Sequence, residues 1–381
     1  MVIDFFHVDS FEFWEYQRIG EALGQQFRPV LPSGNSWFDQ DKARDLYLDA
    51  GVPFQNEPSP DADAVVTTQY HSSIFLPEYQ RAISFRLMYG LCSEKGFNHS
   101  ATGSLPFHAV LVPGDYSRDL LTRFTEPLVV GMPKYDAYFR GDYDRAALET
   151  RHGLVMARET VLYVPTWADE SSVRQPAIRS FLEKLSMDRN VIIKPHHVTM
   201  RHEHEAMETL SHLEGPRMVQ QMVPLGELLA VTDYVICDAL SGVFWESILI
   251  GKKPTLGLQY GSTLRPQHME KRIDEFAVIS RDPSRLAVDF DNAIRFHREN
   301  TDALQEQAHH YLAFTDGHSG QRAAQAILEF TETRRKRHTT RDRIRWNLLG
   351  SLGAGDGLVS GAARNLLRAA WRTVRGRAST P

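Results

Sequence analysis

The segment YVICDALSGVFWESILIGKKP joins a short apolar run to a polar turn holding Asp238, Ser241 and Gly242, then to a helix-like stretch from Val243. A strand that turns into a helix in this way aims free backbone N–H groups and the positive helix end at one point, and a glycine there admits an anion closely. A diphosphate suits that place. Glu246, one helical turn further on, is a candidate acceptor for ribose hydroxyls. The same residues also suit plain capping, in which Asp238 or Ser241 only satisfies the first turn of the helix. Both readings stand on this segment alone.

Two further strand ends carry polar groups. KPHH, Lys194 to His197, follows the apolar run NVII, so Lys194, His196 and His197 emerge at the rim of the same sheet. Ammonium and imidazole groups suit a phosphate whose charge grows as a nucleotide leaves; loop histidines also serve as solvated surface. PTW, Pro165 to Trp167, follows TVLYV, where Thr166 offers a hydroxyl to a phosphate oxygen and Trp167 offers a face for packing between domains. His202 and His204 in MRHEHEA have no third and fourth partner at a recognisable distance, so no metal site is expected.

Positioning these groups takes strands that end together. Short apolar runs closed by Gly, Pro or polar residues alternate with amphipathic stretches, the pattern of βα units and a mostly parallel sheet. In the first half the expected strands are 1–6, 64–68, 83–88, 109–112 and 128–130; in the second, 160–164, 190–193, 217–218, 234–237 and 254–256. Two sets predict two doubly wound α/β domains facing a cleft, divided within the polar stretch 141–154, with ligands beyond the carboxyl ends of the strands. The expected division is 1–145, 146–333 and a tail, 334–381. Helical patterns over 289–315 and 320–333 close the second domain, the last crossing back over the first.

A length of 381 residues with 42% hydrophobic and 24% charged residues is ordinary for a two-domain globular chain. The segment MVIDFFHVDSFEFWEY carries acids where an export signal carries basic residues, which implies a cytoplasmic setting. Cys92 and Cys237 are too few for a disulfide framework. The net charge of -5 argues against nucleic-acid binding. The end of the chain differs: RRKRHTTRDRIRWNLL and RNLLRAAWRTVRGR combine arginines with Trp346, Leu348, Leu349, Leu366, Leu367 and Trp371. Indole and leucine beneath basic heads suit the boundary of an anionic membrane, so 334–381 is expected to be a basic amphipathic helical tail that holds the protein at the inner face of the cell membrane; a solvated tail, or a helix packed on the first domain, is the alternative.

With VVGMPKYDAYF, LYVPTW, IIKPHH and VTDYVICDALSGVFWESILIGKKP in this order, residues 80 to 290 resemble the CDP-glycerol glycerophosphotransferases that build teichoic acid and related capsule chains. The resemblance implies a GT-B fold, a CDP-linked glycerol or polyol phosphate donor, a lipid-linked glycan acceptor and no cofactor beyond the donor. It places Lys194, His196, Ser241 and Glu246 at the nucleotide diphosphate, with Thr166 and Trp167 beside it. The family's acceptor-side base, a histidine before glycine, is replaced here by Tyr89-Gly90 in FRLMYGLCSEKGFNH. A phenol with an ordinary pKa near ~10 is a poor base at neutral pH. His71 or His99 then supplies the base, or the acceptor is already ionised, or the protein only binds. A glycosyltransferase using a nucleotide sugar is the other reading, since the fold does not fix the group transferred.

Overall fold

The computed structural model describes residues 1–32, 41–68, 76–91, 99, 101–167, 172–219, 222–260 and 273–335. The first half runs β1 (Ile3–Phe6), α1 (Glu12–Leu23), β2 (Phe27–Val30), α2 (Asp41–Asp49), β3 (Ala64–Thr67), β4 (Ile83–Leu87), α3 (Ala101–Ser104), β5 (Ala109–Val112), α4 (Asp115–Leu121) and β6 (Glu126–Val129). Two connecting helices follow, α5 (Asp136–Arg140) and α6 (Arg145–Arg151), the latter within the expected junction. The second half runs β7 (Thr160–Val164), α7 (Pro176–Leu185), β8 (Asn190–Ile193), α8 (His197–His202), α9 (His204–Ser211), β9 (Arg217–Met218), α10 (Leu225–Val231), β10 (Tyr234–Asp238), α11 (Gly242–Leu249), β11 (Thr255–Leu258) and β12 (Val278–Ser280). Then come α12 (Leu286–Tyr311) and α13 (Ser319–Arg335).

Two parallel six-stranded sheets result, ordered β2-β1-β3-β4-β5-β6 and β12-β11-β10-β7-β8-β9. Central strands such as TVLYV and NVII are buried along their whole length, which is why they read as unbroken apolar runs. Each sheet reverses its winding once. In the first the reversal lies between β1 and β3, in the second between β7 and β10, and each leaves a crevice at the strands' carboxyl ends.

All ten expected strands are present, with small shifts at their ends. The two that were not anticipated, β2 and β12, are edge strands. β2 contains Pro29, which an edge tolerates because one side of the strand needs no donor, and β12 has only three residues. Cys237 is buried in β10, and burial pushes its thiol well above the ordinary range, as suits an inert thiol. Cys92 lies outside the described residues.

The last helix returns to the start of the chain. Ala323, Ala324, Ile327 and Phe330 of α13 pack with Tyr16, Ile19 and Leu23 of α1 over Phe5, Val66 and Phe85 of the first sheet. A helix from the end of the second half thus completes the core of the first sheet. At Gly320 a Cβ would lie 2.7 Å from the backbone of Arg18, so the approach of α13 to α1 requires glycine there. The helix extends through Arg335, with the Arg334 guanidinium 5.4 Å from the Phe330 ring centre. Arg334 and Arg335 therefore belong to α13, and the remainder of the expected tail, 336–381, lies outside the described residues. No helix among the described residues is long and apolar enough to cross a membrane.

Asp136 starts this return. Its buried carboxylate accepts from Ser319 N at 2.9 Å and Gly320 N at 2.7 Å, capping α13 from the interdomain segment. Asp136→Ala orphans two buried donors and should lower unfolding stability in urea by about 2–4 kcal/mol. Asp142→Ala, which removes a surface partner of Arg140, should change it by less than about 0.5 kcal/mol.

Candidate active site

At the second reversal, β7 and β10 lie side by side, so the loops after Val164 and Asp238 meet. The Asp238 carboxylate accepts from Thr166 N at 2.6 Å and from Ser172 N at 3.1 Å. Its work is to fix the β7 loop. Ser241 caps α11, its hydroxyl accepting from Val243 N at 3.3 Å. Among the described residues a Cβ built at Gly242 meets nothing within 4 Å, so the backbone is open on that side. The capping role of Ser241 is thus present.

β8 is the other neighbour of β7, and brings Lys194 and His196 to the same rim. Lys194 is half-buried; burial and the nearby Lys134 ammonium push its pKa down, against the pull of Glu246. His196 precedes α8 and its Nδ1 accepts from Val198 N at 3.2 Å. In the neutral ring that leaves Nε2 carrying the proton, a donor suited to a phosphate oxygen. Trp167 stands over this histidine, ring centres 6.2 Å apart, and His196 stacks on His197 at 4.2 Å.

The rings continue into the first domain. His197 lies 5.5 Å from Phe11, and Phe11 5.3 Å from Tyr89, while His197 Nε2 is 3.2 Å from Asp9 Oδ2. Asp9 follows β1 at the first reversal. Burial raises the Tyr89 phenol above its ordinary value, the Arg86 and Lys134 cations notwithstanding, which keeps it protonated at neutral pH. His99 lies on the α4 side, its Nε2 3.1 Å from Ser117 Oγ and its ring 5.7 Å from Tyr116. His71 lies outside the described residues.

Several charged groups of this cleft were missed in the sequence. Glu12 at the start of α1 is fully buried, its oxygens accepting from Val8 N, from Asp9 N at 3.0 Å and from Thr68 Oγ1. Burial pushes it up to about 8 despite those bonds. Lys134, after β6, lies 3.0 Å from Glu15 Oε1 and 3.1 Å from Glu246 Oε1, and donates to the Tyr89 carbonyl at 2.6 Å. Tyr135 donates to the second oxygen of Glu246 at 2.5 Å. Glu246, expected beside a ribose, is thus engaged at both oxygens by first-half residues and is 4% exposed. Burial pushes Glu15 up to about 7; Lys134 is lowered by burial but raised further by its two carboxylates. The signals available were Glu12 and Glu15 three residues apart just after the first strand, and a lysine in VVGMPKYDAYF. Among the described residues no group of three or more His, Cys, Asp or Glu is placed to hold a metal ion.

A family model described as CDP-glycerol:poly(glycerophosphate) glycerophosphotransferase matches residues 118–329. No protein of curated function matches the sequence. Among solved structures, a variant of the wall teichoic acid polymerase TagF superposes with a TM-score of 0.61 at 14% identity, covering 88% of this chain and 90% of that one. The UDP-GlcNAc 2-epimerase of Neisseria meningitidis, bound to UDP-GlcNAc, gives 0.54 at 14% identity over 87% and 99%. Anabaena HepE, in complex with UDP and glucose, gives 0.52 at 12% identity over 87% and 100%. These structures share the arrangement of the fold.

Lys134→Ala leaves Glu15 and Glu246 buried without their cation and should cost about 3–5 kcal/mol in urea unfolding, whereas Arg44→Ala at a surface pair should cost under about 1 kcal/mol. The folded pKa of Glu12 lies above its ordinary 4.5, so what it adds to stability is complete below that value and lost as pH rises towards 8. The stability of wild type relative to Glu12→Gln should therefore fall between about pH 5 and about pH 8. A difference that grows over this range would show that the hydrogen bonds outweigh burial.

Proposed function

The chain belongs to the CDP-glycerol:poly(glycerophosphate) glycerophosphotransferase family, and we propose that it moves glycerol phosphate, or a related polyol phosphate, from a CDP-linked donor to a hydroxyl of a membrane-linked glycan in cell-surface polymer synthesis. The observation that carries this reading is the meeting of Thr166, Trp167, Lys194, His196, Ser241 and Gly242 at the carboxyl ends of β7, β8 and β10, inside the matched region.

The acceptor oxygen attacks the donor phosphorus, forming one P–O bond as the bond to CMP breaks. Charge then collects on the CMP phosphate. Lys194 and the Nε2–H of His196 are donors for that charge, with the α11 turn beside them. Such positioned donors act chiefly on the departing group, so they raise turnover more than they tighten ground-state binding.

Incubation with CDP-glycerol and with several nucleotide sugars, scored by release of CMP or of nucleoside diphosphate, tests the donor. Release from sugars alone would select a glycosyltransferase, and binding without release a non-catalytic protein. Lys194→Ala and His196→Ala should each lower turnover on the order of 10²-fold while the fold persists. Folded variants of both with full activity would remove them from the site.

The basic end of the chain fits this reading by bringing the cleft to a lipid-linked acceptor. Attraction of roughly 1 kcal/mol per basic residue near an anionic surface is enough to hold the protein at the inner face of the cell membrane. A chain ending at Arg335 should no longer sediment with anionic vesicles, yet should retain transfer to a soluble acceptor. Vesicle binding that survives this truncation would place the anchor elsewhere.

A further inference from the structure

Resting on the transfer reading above, we propose that His197, oriented by Asp9 of the other domain, is the base that takes the proton from the acceptor hydroxyl. The acceptor O–H bond breaks with its proton passing to His197 Nδ1, the oxygen forms its bond to the donor phosphorus, and CMP leaves with the electrons of the broken P–O bond. His197 then returns the proton to solvent. His197 is a catalytic residue in this scheme and Asp9 a positioning residue.

Among the described residues before the second sheet, four other candidates are each disqualified by their surroundings. Glu12 is fully buried behind the three hydrogen bonds it accepts. His7 is fully buried, with Nε2 2.8 Å from the Tyr47 hydroxyl, and burial pushes it down to about 3. Tyr89 is pushed in the wrong direction for a base. His99 is buried beside Ser117.

His197 differs on each count. Its side chain is 31% exposed and borders a cavity in the cleft, lined also by Asp9, Ser10, Lys42, Arg201 and Met222. Asp9 is 4% exposed and rigidly held, Oδ1 accepting from Ser10 N at 2.6 Å while Oδ2 faces His197 Nε2 at 3.2 Å. A carboxylate at Nε2 fixes the proton there, leaves the lone pair on Nδ1, and stabilises the imidazolium that forms. The neighbouring His196 is used differently, with its own Nδ1 spent on Val198 N. Donor phosphate and acceptor proton thus fall to adjacent histidines of one loop. The charged and titratable groups facing His197 are Asp9 and His196, with Lys42, Arg201 and His202 around the same cavity.

Because Asp9 belongs to the first domain and His197 to the second, the pair exists only while the two domains face one another across the cleft. The test uses the full chain, CDP-glycerol as donor and glycerol phosphate oligomers as acceptor. His197→Ala should lower kcat on the order of 10²–10³-fold with donor KM little changed, should lose the acid limb of the kcat–pH profile, and should regain part of its rate in added imidazole. Asp9→Asn should lower kcat less, and nitrogen NMR of labelled histidine should show the Nε2–H form of His197 in wild type giving way to a mixture in Asp9→Asn. Active wild type with an equally active His197→Ala, or an Nδ1–H form of His197 in wild type, overturns the assignment and leaves the transferase reading standing. Wild type that releases no CMP removes both.

Discussion

One ammonium group holds the two halves of this molecule in register. Lys134 leaves the last strand of the first sheet and is met by Glu15 of the first helix and Glu246 of α11, with the Tyr89 carbonyl as its third partner. Desolvating three charges is costly, and the attraction among them offsets that cost only when the geometry is close. Lys194 feels the result. Burial and then the Lys134 ammonium push the Lys194 pKa down, against the pull of Glu246.

The sequence was most informative where one strand speaks for itself. Runs such as NVII and YVIC, apolar and closed by polar residues, mark central strands and the rim positions after them, which is how Thr166, Lys194, His196 and Ser241 came into view. Edge strands gave no such signal: β2 is broken by Pro29 and β12 is too short to show a period. The first reversal was hidden for a different reason. The acids of MVIDFFHVDSFEFWEY stand out only against an export signal until β1 is known to lie beside β3, and only then do Asp9, Glu12 and Glu15 become the residues after a central strand.

Partnership was the least legible property. Glu246 suggests a ribose when read with its own helix, but Lys134 and Tyr135, more than a hundred residues earlier, hold both its oxygens. Asp238 likewise reads as a helix cap and instead ties down the loop after a neighbouring strand. Local spacing gives the direction in which a side chain starts, and long-range pairing decides what it meets. Tyr89 is the reverse case, since the mismatch at this position was visible from the residues alone, and burial pushes its phenol further above the ordinary range.

The return of α13 to α1 has a bearing on how the chain acquires its structure. The core of the first sheet is incomplete without Ala323, Ile327 and Phe330, so the first domain has no finished hydrophobic interior when its own strands leave the ribosome. Apolar surface on Tyr16, Ile19 and Phe85 is covered only by residues 323–330, near the other end of the described chain. The contacts that cover this surface join residues roughly three hundred positions apart, so completing the core of the first sheet means closing nearly the whole chain into a loop.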